Sequence, residues 1–141
     1  MNPRLRNGLA LAAGVLSGGI LNMGIIMVSG SVIPPPEGAD VTSMEGLKAA
    51  LPLFEPKHFI MPFLAHALGT LLGSFVAARL AVNRRLLFAL IVGAWFLLGG
   101  TLNVFMLPSP LWFNAVDLVC AYLPMAYLGA KLVGSPGHHA T

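Results

Sequence analysis

Charged side chains are the scarcest feature of this sequence: Asp, Glu, Lys and Arg make up 9% of its 141 residues, against roughly a quarter in an ordinary soluble domain. With 57% hydrophobic residues, a chain this short carries more apolar surface than a soluble core can hide, which excludes a soluble globular domain. Cysteine occurs once, as Cys120 inside an apolar stretch, so an intrachain disulfide and a thiolate metal cluster are excluded. Acids are fewer than bases. Glu37, Asp40, Glu45 and Glu55 share one stretch, and Asp117 stands alone elsewhere. The net charge of +3 does not signal nucleic acid, because the basic residues flank apolar segments and form no stripe interleaved with aromatics. Nucleic acid is excluded as a partner. No Ser or Cys nucleophile motif is visible.

What the chain has is four apolar runs, at about residues 8–30, 58–82, 86–107 and 111–132, each near the length that crosses a hydrocarbon layer of ~30 Å as a helix. The reading is an all-α membrane protein, a single membrane domain over 1–141, with four transmembrane helices in an up-down bundle. Basic residues near helix ends are retained in the cytoplasm. Four crossings put Arg4, Arg6, Arg79, Arg84, Arg85 and Lys131 on one side and leave Lys48 and Lys57 on the other, so both termini are expected in the cytoplasm. Arg4 and Arg6 before an apolar stretch ending at Ser29-Gly30-Ser31 mimic a signal peptide. The run exceeds the usual ~7–15-residue apolar region, so an anchor is expected instead. His138 and His139 read as solvated tail, and Trp112 as part of the outer aromatic belt.

The loop at about 31–57 is the sizeable extramembrane segment. Pro34-Pro35-Pro36 stiffens its start, since each proline fixes φ and lacks an N–H. Thr42 followed by Glu45 reads as a capping box opening a short helix that stops at Pro52. Leu47, Leu51 and Phe54 recur at helical spacing, which predicts a piece lying flat at the interface. A connector is the plain reading of it; a lid over the outer mouth is the sharper one.

Membrane helices associate through small residues and polar contacts. Ala10, Gly14, Gly18 and Asn22 recur every four residues, as do Ala65, Gly69, Gly73 and Ala77, and Ala89, Gly93 and Gly100 form a weaker series. Packing explains these glycines but not the polar side chains among them. From the rise per residue, Asn22 lies roughly 12 Å from the outer end of its helix, His66 roughly 9–12 Å, Asn103 roughly 6 Å and Asp117 roughly 9 Å. Together with Asn114, they predict one polar layer in the outer half of the bilayer. Asp117 is the strongest signal, because an intramembrane acid is costly and marks a partner or a site, and His66 is its expected neighbour. The pair is read either as a satisfied structural histidine or as a titrating dyad. No metal site is expected, because His66, Asp117 and Glu37 would be too few ligands for closed zinc coordination. Pro124 frees a carbonyl near Cys120 or Ala121 and predicts a kink.

Pro34-Pro35-Pro36-Glu37-Gly38, Ala65-His66-Ala67-Leu68-Gly69-Thr70, and Pro108 to Phe113 continuing through Asp117-Leu118 to Tyr122-Leu123-Pro124-Met125-Ala126 resemble a family of small four-helix bacterial inner-membrane proteins. The resemblance implies a bacterial inner-membrane, multi-pass placement. It implies no activity, substrate or cofactor.

Three functions compete. The leading one is binding or transport of a small polar solute or ion through the layer of His66, Asp117, Asn103, Asn114 and Asn22, with Glu37 at its outer side. Four short helices enclose little space, so a pathway calls for a homo-oligomer joined by the Gly14/Gly18 or Gly69/Gly73 faces. The second is an enzyme acting on a lipid or isoprenoid substrate, with His66 as general base oriented by Asp117 and Glu37 folding inward as a second acid. The third is a structural or assembly subunit in which every polar group joins helices.

Overall fold

The computed structural model describes residues 1–134; His138, His139 and Thr141 lie outside the described residues. Those described are 80% helical with no strand, so backbone polar groups are paired within their own segments, the condition for residence in hydrocarbon. The helices are α1 (Pro3–Val32), α2 (Met44–Ala50), α3 (Ile60–Leu80), α4 (Arg85–Met106), α5 (Leu111–Cys120) and α6 (Leu123–Leu132). Four stretches, Pro3–Val32, Pro56–Leu80, Arg85–Met106 and Leu111–Leu132, are long and apolar enough to cross a membrane.

Local chemistry sets the ends. α1 starts at Pro3 rather than near Gly8, because Asn2 Oδ1 accepts the Arg4 N–H at 2.9 Å and proline occupies the first turn. The fourth segment is broken at Ala121–Tyr122. Pro124 has no N–H for the carbonyl one turn earlier, so the ladder stops and α6 restarts with the proline in its first turn.

α3 is the central helix, packed by α1 on one side and by α4 and α6 on the others. The glycine stripes of α1 and α3 meet each other antiparallel, Gly14 against Gly73 and Gly18 against Gly69. These faces are therefore filled within one chain and are not open as contacts between copies, contrary to the expectation from spacing. Ser74 Oγ donates to the Ala89 carbonyl at 3.0 Å and ties α3 to α4, while Gly129 lets α6 approach the α3 backbone at Leu71. At one end, Arg6 Nε reaches the Leu80 carbonyl at 3.2 Å and the Val82 N–H donates to Asn7 Oδ1 at 2.9 Å. This is the turn end of the bundle; the opposite end carries α2 and is the loop end.

At the loop end the expected capping box gives way to a neighbouring cap. Ser43 Oγ accepts the Gly46 N–H at 3.0 Å, whereas the Thr42 hydroxyl donates to Asp40 Oδ1 at 2.6 Å. That bond, with the Thr42 N–H on the same oxygen, holds the exposed Asp40 carboxyl below its ordinary range. The apolar face of the segment is turned onto the bundle instead of outward: Leu47 and Phe54 pack with buried Leu51, Phe59 and Phe113. His58 fastens the loop. Its Nδ1 accepts the Glu55 N–H at 2.8 Å, so the ring hydrogen sits on Nε2 and points to the Pro34 carbonyl at 3.1 Å.

Candidate functional site

His66 lies on α3 between the small residues that admit α1, and Asp117 lies on α5 one turn before the helix break. His66 Nδ1 and Asp117 Oδ1 are 2.8 Å apart. The Tyr122 hydroxyl donates to Asp117 Oδ2 at 3.0 Å, and the Tyr122 ring stacks on the imidazole with centroids 5.8 Å apart. Asp117, only 4% exposed, thus has a partner on each oxygen, and removing either would leave a buried acceptor unsatisfied. With Nδ1 donating to the carboxylate, His66 keeps Nε2 for other use. That nitrogen has no hydrogen bond among the described residues and is not among the buried atoms.

Tyr122 escapes a helical-periodicity reading. Five residues after Asp117, an unbroken helix would carry it roughly 140° around the axis from the acid. The break at Ala121–Tyr122 turns it back. Pro124 was the signal, because it fixes where the ladder fails.

Two cavities adjoin the dyad. A polar chamber of about 230 Å³ is lined by Asn22, His66, Thr70, Asn103 and Tyr122, with Phe96 and three glycines. On two of these lining residues, Asn22 Oδ1 and Thr70 Oγ1 are buried and have no hydrogen-bond partner. Thr70, 1% exposed, is a second residue that sequence reasoning passed over, since a threonine one turn from a histidine reads as helix packing. The larger chamber, about 400 Å³, lies under α2 and is mostly apolar, with Asn114 and Asp117 on its wall. His66, Asn22, Gly100 and Asn103 line both.

The chain matches no family model, no curated protein and no solved structure. A functional reading rests on the site itself.

Of the residues singled out from sequence, Asn22, His66, Asn103, Asn114 and Asp117 come together around the two chambers. Asn114 Nδ2 faces the Ser109 carbonyl at 3.4 Å, a long contact. Glu37 does not join them. It is exposed on a turn closed by the Ala39 N–H and the Pro36 carbonyl at 3.0 Å, with Gly38 at φ +80° supplying the left-handed step. It lines neither chamber. Among the described residues no three His, Cys, Asp or Glu side chains gather within reach of one metal ion. From the loop, Met44, Leu47, Leu51 and Phe54 wall the apolar chamber.

Proposed function

We propose that this chain is a multi-pass membrane protein that binds a small ligand in the polar layer of His66, Asp117, Asn22, Asn103 and Thr70. The observation that carries the reading is the pair of buried, unpartnered oxygens, Asn22 Oδ1 and Thr70 Oγ1, on two residues that line a chamber beside an open imidazole nitrogen. In a structural subunit whose polar groups only join helices, these atoms would be paired, because leaving each unsatisfied costs ~1–3 kcal/mol. Binding is favoured over passage. Towards the turn end the bundle is filled by Ser74, Ala77, Ala89 and Val92, all at 0% exposure, with glycine backbones in contact between α1 and α3. An enzymatic reading finds less support, as no acid other than Asp117 lines either chamber.

Thr70→Val tests this directly. In protein stripped of small molecules, removing an unpartnered hydroxyl leaves thermal stability unchanged or raised. Native mass spectrometry of protein taken gently from membranes shows a small-molecule adduct that the variant loses. A fall in stability of the stripped variant by ~1 kcal/mol or more would mean that the hydroxyl holds helices together, and the binding reading would give way to the structural one.

We also infer the orientation from charge: the turn end, with Arg4, Arg6, Arg79, Arg84 and Arg85, faces the cytoplasm, and the chambers open in the outer half of a bacterial inner membrane. In a Cys120→Ala background, an impermeant maleimide added to intact cells labels Asp40→Cys. Asn2→Cys and Thr141→Cys react only after permeabilisation. The reverse pattern overturns the orientation.

A further inference from the structure

The two chambers meet at His66, and their walls differ in kind. The smaller is lined largely by hydrogen-bonding side chains; the larger, roofed by Leu47 and Leu51 and closed by Ile26 and Phe59, is mostly hydrocarbon, with Asn114 and Asp117 on its wall. We propose that the ligand is an amphiphilic alcohol, its uncharged hydroxyl head beside His66 and its hydrocarbon tail under α2. This deepens the binding reading above and rests on it.

The vacant hydrogen-bonding positions define the head. Asp117 already accepts one hydrogen bond on each oxygen, from His66 and from Tyr122. In the neutral imidazole with its hydrogen on Nδ1, Nε2 is an acceptor, and Asn22 Oδ1 is a second acceptor. Thr70 Oγ1 both donates and accepts. A hydroxyl complements this set by donating to an acceptor and receiving from the threonine. A carboxylate or phosphate head would add negative charge beside Asp117 with no Lys or Arg on the walls of either chamber, and burying it unpaired is prohibitive.

The tail follows from volume and access. At about 400 Å³ the apolar chamber falls in the range of ligand pockets, ~300–1,000 Å³, whose apolar walls surround a few orienting polar groups. Met23 and Asn103 line it while remaining exposed on the helix surfaces. It therefore opens sideways between α1 and α4, the route for a molecule dissolved in lipid rather than in water.

The full-length protein in phosphatidylcholine nanodiscs is titrated with 1-dodecanol, dodecane, glycerol and dodecylamine while the ¹⁵N resonance of His66 Nε2 is followed by NMR. The expected result is a saturable Nε2 shift with dodecanol and none with dodecane or glycerol. Leu51→Trp and Ile26→Trp, which fill the apolar chamber from different sides, each weaken dodecanol binding by about tenfold or more. Glycerol shifting Nε2 as dodecanol does, or both tryptophan variants binding dodecanol normally, overturns the tail; the binding site then stands with a purely polar ligand. Dodecylamine binding more tightly than dodecanol overturns the uncharged head. No shift with any probe overturns the amphiphile. The binding reading itself falls only if Thr70→Val also destabilises the stripped protein.

Discussion

Gly18→Leu detaches α1 from α3. A Cβ at this position would stand 2.5 Å from the Gly69 carbonyl oxygen and 3.0 Å from the Phe96 ring, and the first of these is backbone that cannot swing aside. The approach is reciprocal, for a Cβ on Gly69 would lie 2.8 Å from the Gly18 carbonyl oxygen and 2.9 Å from the Asn22 Cβ. Overpacking a close contact costs ~1–3 kcal/mol when neighbours can shift, and a backbone-to-backbone contact puts leucine at or beyond the upper end of that range. Beyond the Gly14–Gly73 approach and the Arg6 and Asn7 bonds at the turn end, α1 has little to hold it, since Leu16, Ile20, Met23 and Met27 are exposed on its other faces. Thermal unfolding in detergent should show a large fall in midpoint for Gly18→Leu. Gly19→Leu and Gly24→Leu, on the same helix with nothing within 4 Å of the added Cβ, serve as controls and should leave it unchanged. Since Gly→Leu by itself favours helix, equal losses at all three positions would mean that close approach to α3 does not set the effect. Because Asn22 is one turn beyond Gly18, the same substitution also opens the polar chamber.

The packing stripes were legible because a four-residue repeat of small side chains marks one face of a helix whatever it meets. Their partner was not. Spacing alone allowed contact between copies, and the antiparallel course of α1 and α3 instead brings the two stripes together within one chain. The pairing of His66 with Asp117 was readable from depth, as an acid and an imidazole inside two apolar segments at a similar distance from the loop end. Tyr122 was hidden because it belongs to the acid only through a helix break, and Thr70 because its unpartnered hydroxyl is a property of packing that no local pattern records. Glu37 was misplaced for the opposite reason: a proline-stiffened loop has a legible start but no legible destination. The apolar face of the Leu47 segment was visible as a face, yet sequence could not tell whether it met lipid or the aromatic rings of Phe59 and Phe113.

Asp117→Asn carries the second large effect. The carboxylate accepts from His66 on one oxygen and from Tyr122 on the other, while an amide has a single acceptor oxygen and adds two donors. One of the two partners, buried Tyr122 or part-buried His66, is left without its bond or faces another donor, at ~1–3 kcal/mol. Asp117→Leu deprives both, and its loss should reach the ~3–5 kcal/mol associated with breaking a buried pair. Combining Asp117→Asn with Tyr122→Phe should cost less than the sum of the two single changes, with a coupling of ~0.5–3 kcal/mol, because the variants remove the same bond.

The state of the His66 ring nitrogens tests the account's centre most directly. ¹⁵N NMR of the full-length protein in nanodiscs, with His66→Gln used to assign the signal, should find hydrogen on Nδ1 in the native chain and a changed ring spectrum in Asp117→Asn. Cys120→Ala, an exposed position, should leave the spectrum as it was. A bare Nδ1 with hydrogen on Nε2, unaltered by Asp117→Asn, would contradict the pairing and with it the site built upon it.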